Sequence, residues 1–162
     1  MSENLPLFIE GEFTQSKSDT HLEVLNPASQ EILTKVPFAT EEESNRAIAS
    51  AEKTFHDWKD VPPPERSRLM IAYQNLLKKH HEDIAETLSK ENGKNFEDSK
   101  GDVWRGIEVV EQASNIAPLL MGETVGNVAR GIDAYSYLHP LGVCAGITPF
   151  NFPAMIPLWM FP

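Results

Sequence analysis

The chain has 162 residues, of which 41% are hydrophobic, and a formal net charge of −10. That is one domain's worth of chain with enough apolar residues for a core. The acidic balance excludes non-specific binding to nucleic acid or to an anionic membrane, since both need basic patches.

The single cysteine, Cys144, excludes an intrachain disulfide and suits a reducing compartment. The opening MSENLPLFIEGEF has no basic segment followed by an apolar one and is not arginine-rich, so a cytoplasmic protein without a leader is expected. The most apolar stretch, 145–162, is interrupted by Thr148, Asn151 and four prolines and falls short of a membrane span.

Residues 7–14 centre on Glu10-Gly11 and predict a hairpin-like turn. Residues 21–27 alternate in part and stop at Asn26-Pro27, a turn signal. Residues 32–38 read as another strand, with Pro37 putting its end at an edge or outside the ladder. Thr40 and Glu43 form a capping box, and Ala47, Ile48, Ala51, Phe55 and Trp58 recur at helical spacing behind it. Pro62, Pro63 and Pro64 break the chain. Leu69, Met70, Tyr73, Leu76 and Leu77 then predict one face of a second helix. A third helix is expected from His80 to Asn92, stopped by Asn92-Gly93. A fourth begins near Phe96 and carries Val103, Ile107, Val110, Ser114, Ala117 and Leu120. Gly122, Gly126 and Gly131 mark 122–133 as a loop or turn region. Residues 134–139 alternate as a strand, and 142–147 read as a buried strand of a parallel sheet. The whole is an α/β pattern: a small antiparallel β piece, a run of helices and the start of a sheet.

None of the histidines His21, His56, His80, His81 and His139 forms a metal-ligand spacing, so no metal site is expected. Cys144 lies in an apolar stretch with no basic neighbour, which favours a buried structural thiol over a nucleophile. The glycine fingerprints of phosphate and dinucleotide sites are absent. Asn151 has two readings. It can cap the helix that follows Pro153, or its amide N–H can donate to a developing oxyanion. Arg105 also has two: a surface arginine paired with Glu108 or Glu111, or a partly buried one that holds a carboxylate bidentately.

The run GITPFNFPAMIPLWMFP (146–162) resembles the aldehyde dehydrogenase superfamily. FIEGE (8–12), NPA (26–28), ENGK (91–94) and GDVWRGIE (101–108) support the resemblance along nearly the whole chain. WMFP and RGIE resemble the branch of methylmalonate-semialdehyde dehydrogenases that acylate coenzyme A. The resemblance implies the N-terminal part of a Rossmann-type NAD-binding domain, incomplete over 1–162, with 122–139 starting a subunit-joining arm. It implies an NAD-dependent oxidation of methylmalonate or malonate semialdehyde to propanoyl-CoA or acetyl-CoA with loss of carbon dioxide, as in valine and inositol breakdown. It implies a homo-oligomer. By motif position it makes Asn151 the oxyanion donor, Thr148 and Phe150 cofactor-approaching residues, and Arg105 the binder of the substrate carboxylate. It also places the nucleophilic cysteine beyond residue 162, since Cys144 precedes the P-F-N-F-P motif. The chain alone is therefore expected to be inactive and poorly soluble. Two alternatives remain: a non-catalytic fragment that joins full-length subunits, and a semialdehyde dehydrogenase that releases a free acid.

Overall fold

Glu10 and Gly11 both take positive φ (60° and 82°), so they close a two-residue turn whose twist suits a hairpin. It joins β1 (Leu7–Ile9) to β2 (Glu12–Thr14), with Phe8 opposite Phe13 and the two rings 5.0 Å apart. The structure, a computed structural model, describes residues 4–162. Residues 1–3, part of the stretch expected to carry no leader, lie outside the described residues.

A second hairpin pairs β3 (His21–Leu25) with β4 (Ile32–Pro37) and bulges at Val24/Leu25. Asn26 makes its turn: its Oδ1 accepts the backbone N–H groups of Ala28 (2.9 Å) and Ser29 (3.2 Å). Pro37 is the last paired residue of β4, opposite His21, as its missing N–H requires.

The capping box opens α1 (Glu41–Trp58), with Glu43 N–H donating to Thr40 Oγ1 at 3.2 Å and Thr40 N–H donating to Glu43 Oε2 at 2.8 Å. Glu43 does more than cap. It also accepts the N–H of Lys17 (2.8 Å) and the hydroxyl of Ser16 (2.9 Å), which ties the β2–β3 connection to the start of α1. The backbone N–H groups of Thr40 and Lys17, then the Ser16 hydroxyl, hold its carboxyl down from 4.5 to about 2. The folded pKa lies below the unfolded one, so this stabilisation is complete above pH 4.5 and is lost as pH falls towards 2. Hydrogen exchange, corrected for intrinsic rates, should show protection at the Lys17 and Thr40 amides falling across that window. Glu43→Gln keeps one acceptor oxygen for these two N–H donors, so at least one of the two amides should lose protection and the pH dependence should vanish; a Glu43→Gln chain with wild-type, pH-dependent protection at both amides would contradict the tie.

Pro63 stands at the first position of α2 (Pro63–Lys79), where its missing N–H costs nothing. Then follow α3 (His81–Asn92), α4 (Phe96–Ser114), capped by Asn95, and the short α5 (Met155–Met160). These four pack on one another with α4 in the middle. Leu77, Ala85, Leu88, Val103, Ile107, Val110 and Leu158 form the core. Gly106 lets α5 close on α4, because a Cβ there would sit 2.5 Å from Leu158 Cδ1.

The structure is mixed α/β, as the sequence implies, and departs from it in five places. α2 turns Tyr73 and Leu77 inward but leaves Leu69 and Leu76 exposed, since its main packing is along the side that meets α4. α4 stops at Ser114 rather than running on, and Ala117–Leu120 tightens into a 3-10 turn around Pro118. Residues 122–133 are not a loop. They hold β5 (Thr124–Ala129) and the start of β6 (Ile132–Tyr135), an antiparallel hairpin exposed along both strands. The strand expected over 134–139 therefore begins earlier and ends at Tyr135, whose ladder partner Thr124 is the first residue of β5, so residues 136–139 have no described strand to pair with. The strand expected at 142–147 does not form: no described strand offers its backbone a ladder, and Val143, Cys144 and Ile147 are exposed. Cys144 is thus an exposed thiol, not the buried one expected, because no layer of the chain covers it.

Candidate functional site

α3 ends on Gly93 in the left-handed region, φ 81°. Only glycine suits the spot: besides the positive φ, a Cβ there would lie 2.7 Å from Pro27 Cγ. The turn at Gly93 brings Asn92 and Lys94, on either side of it, onto the chain at 150–152. Asn92 Nδ2 donates to the Phe150 carbonyl at 2.9 Å. Lys94 Nζ donates to the Asn151 carbonyl at 2.6 Å and to Asp102 Oδ2 at 2.6 Å, and lies 4.2 Å from the centroid of the Phe152 ring. Asp102, on α4, uses its other oxygen too: Oδ1 accepts the Met155 N–H at 2.8 Å.

Asp102 has a side chain only 1% exposed, against 22% for Lys94. A carboxylate that deep is tolerable only when its charge and both oxygens are met, and here they are. The turn from Phe150 to Met155 is therefore pinned to α3 and α4 by three side chains through its own backbone. Nothing in that arrangement engages the amide of Asn151, which stays exposed.

The capping reading of Asn151 does not hold. α5 begins at Met155, its cap position is Ala154, and no side chain caps it. Residues 151–154 form turns first, with Pro153 among them, so the helix starts too late for Asn151 to reach its amides. Thr148 is half-buried and Phe150 exposed beside it.

Arg105 follows Asp102 by three positions and so lies on the adjoining side of α4. It is exposed rather than partly buried, because it lies off the buried Val103–Ile107–Val110 stripe, and it enters no ion pair among those described. The partners expected for it are engaged elsewhere: Glu108 accepts Trp104 Nε1 at 3.1 Å, and Glu111 meets Gln74 and Lys78. Its guanidinium is open to an outside carboxylate. Among the described residues no group of His, Cys, Asp and Glu could hold a metal ion.

Reasoning from residues passed over Asn92, Lys94 and Asp102 as a unit. Asn92-Gly93 signals a helix stop, but nothing local says that the residues flanking the glycine reach across to 150–151.

A mixed α/β segment whose helices hold a P-F-N-F-P turn defines the class, and the sequence profile of the aldehyde dehydrogenase family matches residues 13–162. The chain belongs to the aldehyde dehydrogenase family. A Dictyostelium discoideum protein that carries the name of an acylating, mitochondrial methylmalonate-semialdehyde/malonate-semialdehyde dehydrogenase is 56% identical over 156 residues, 96% of this chain and 30% of that protein. The crystal structure of the methylmalonate-semialdehyde dehydrogenase from Oceanimonas doudoroffii superposes with a TM-score of 0.93 at 40% identity, over 99% of this chain and 33% of that one. A Sinorhizobium meliloti 1021 protein complexed with NAD superposes with a TM-score of 0.94 at 38% identity, over 99% of this chain and 33% of that one. The chain thus spans about a third of the length of the relatives it matches. No described helix is long and apolar enough to cross a membrane.

Proposed function

We propose that this segment is the N-terminal part of an NAD-dependent, coenzyme A-acylating dehydrogenase of methylmalonate or malonate semialdehyde. The observation that carries the reading is the exposed Asn151 amide on a turn whose backbone is tied down on both sides. The names of the Dictyostelium and Oceanimonas relatives support the substrate class.

In this reading a cysteine thiolate supplied outside this segment attacks the aldehyde carbon. Asn151 Nδ2–H donates to the oxygen as negative charge grows on it. Arg105, unpaired and exposed, holds the substrate's carboxylate in bidentate fashion. The backbone at Thr148 and Phe150 approaches the cofactor. The residues fit that task, since Phe150 is exposed and Asn92 takes only one lone pair of its carbonyl. NAD, when bound, accepts the hydride. Coenzyme A then takes the acyl group as a thioester, and the substrate's carboxylate leaves as carbon dioxide, giving propanoyl-CoA or acetyl-CoA. Valine and inositol breakdown would supply such semialdehydes.

The exposed β5–β6 hairpin within 122–139 is read as the start of an arm that joins subunits of a homo-oligomer. The proposed location is the cytoplasm, resting on the single cysteine. The mitochondrial name of the Dictyostelium relative is the competing indication, and fractionation decides between them.

The test is turnover. A family-length protein carrying this segment should form NADH and propanoyl-CoA from methylmalonate semialdehyde, NAD and coenzyme A. Equal rates without coenzyme A, with a free acid as product, would overturn the acylating branch. No NADH with either semialdehyde would overturn the activity. The 162-residue chain alone should form none, and should still bind full-length subunits if the arm reading is right.

A further inference from the structure

The two hydrogen bonds onto 150–151 fall on the two peptide units that flank the Asn151 Cα. Asn92 holds the carbonyl of the unit before it, and Lys94 holds the carbonyl of the unit after it. Pinning both planes fixes φ and ψ of Asn151 and hence the direction of its Cα–Cβ bond. The backbone thereby sets the origin and direction from which the two χ angles of Asn151 place its amide, so a shift of either peptide plane moves every position the amide can reach. Asp102 locks Lys94 in place and, through the Met155 N–H, holds the far end of the turn. Gly93 makes the arrangement possible by turning the chain between the two donors.

We infer that Asn92 and Lys94 are positioning residues that aim the Asn151 amide, with Asp102 as the buried anchor of Lys94. The inference rests on the reading of Asn151 as oxyanion donor. The cradle has a purely structural counterpart, in which it holds α5 on α4 and nothing more. The two differ in what survives when the buried charge problem is removed.

In the family-length enzyme, Lys94→Met alone strands the Asp102 carboxylate and loses stability. Lys94→Met with Asp102→Asn removes both charges and keeps an acceptor for the Met155 N–H, so thermal stability should return to near wild type. If Lys94 aims Asn151, kcat in that double variant stays down by about tenfold to a hundredfold, with the KM for semialdehyde little changed. Asn92→Asp keeps the shape but loses the N–H donor, and should lower kcat in the same way. Lys94→Arg keeps a cationic donor and should recover part of the rate. In an Asn151→Ala background, none of these changes should cost anything more. Crystal structures should show the Asn151 amide turned from its wild-type direction in Asn92→Asp.

Wild-type kcat in both Asn92→Asp and the charge-neutral pair overturns the inference, as does an undiminished further loss in the Asn151→Ala background. Unchanged kcat in Asn151→Ala by itself overturns the oxyanion reading instead. An amide that still turns in Asn92→Asp would then support the cradle separately.

Discussion

Replacing Asn151 by alanine in the family-length enzyme is expected to lower kcat by about 10² to 10³, the loss that follows removal of one oxyanion-hole donor. That corresponds to about 2.7–4 kcal/mol of transition-state stabilisation. The KM for semialdehyde should move little, because the amide meets full negative charge only as the tetrahedral adduct forms. Stability should also hold. Asn151 is exposed, caps no helix, and contributes to the turn through its backbone carbonyl, which alanine retains. Single-turnover measurement of NADH formation isolates the step. A loss below about threefold would mean that the amide does not face the reacting oxygen. Asn151→Asp is the sharper variant, since it keeps the size but puts an acceptor where a donor is needed, and it should be no better than alanine.

How much of this was legible in the sequence depends on how local each signal is. The Glu10-Gly11 turn, the Thr40/Glu43 box, the Pro62–Pro64 break and the Asn92-Gly93 stop each rest on neighbouring residues, and each stands where it was read. Glycine spacing misled at 122–133. Of the three glycines, only Gly131 sits at the hairpin's turn with positive φ (75°), and Asn127 takes the other left-handed position. The apolar run at 142–147 misled for another reason. Apolar composition announces a wish for cover, but a strand also needs a partner ladder, and none of the described strands provides one. The cradle was illegible for a third reason. Asp102 and Met155 are 53 positions apart, and Lys94 reaches Asn151 across 57, so no periodicity links them. The family resemblance had singled out ENGK and GDVWRGIE without a physical reason. The structure supplies one: these two pieces carry Asn92, Lys94, Asp102 and Gly106, the residues that hold the P-F-N-F-P turn and α5 in place.

That dependence makes the helical core the second place to press. Ile107→Ala is expected to destabilise the helices by about 3 kcal/mol, within the 2–5 kcal/mol range for truncating a fully buried isoleucine. Ile107 is 0% exposed and sits on the middle helix, next in sequence to the glycine that receives Leu158. Its neighbours Val103 and Val110 are held on the same rigid helix, so the cavity cannot collapse easily and the cost should not fall to the bare transfer value. With a urea slope of about 2 kcal/mol/M, the midpoint of the helical signal should drop by about 1.5 M. Ile48→Ala on α1 is the matched control: Ile48 is 56% exposed, and its loss should cost less than about 0.5 kcal/mol. A family-length enzyme bearing Ile107→Ala should also lose protection at the Met155 amide before it loses the α1 cap, because α5 is seated on α4 while the Thr40/Glu43 box is built from α1 and the β2–β3 connection. Equal midpoints for the two variants would show that α4 does not organise the core, and would remove the physical basis for a turn held at Asn151.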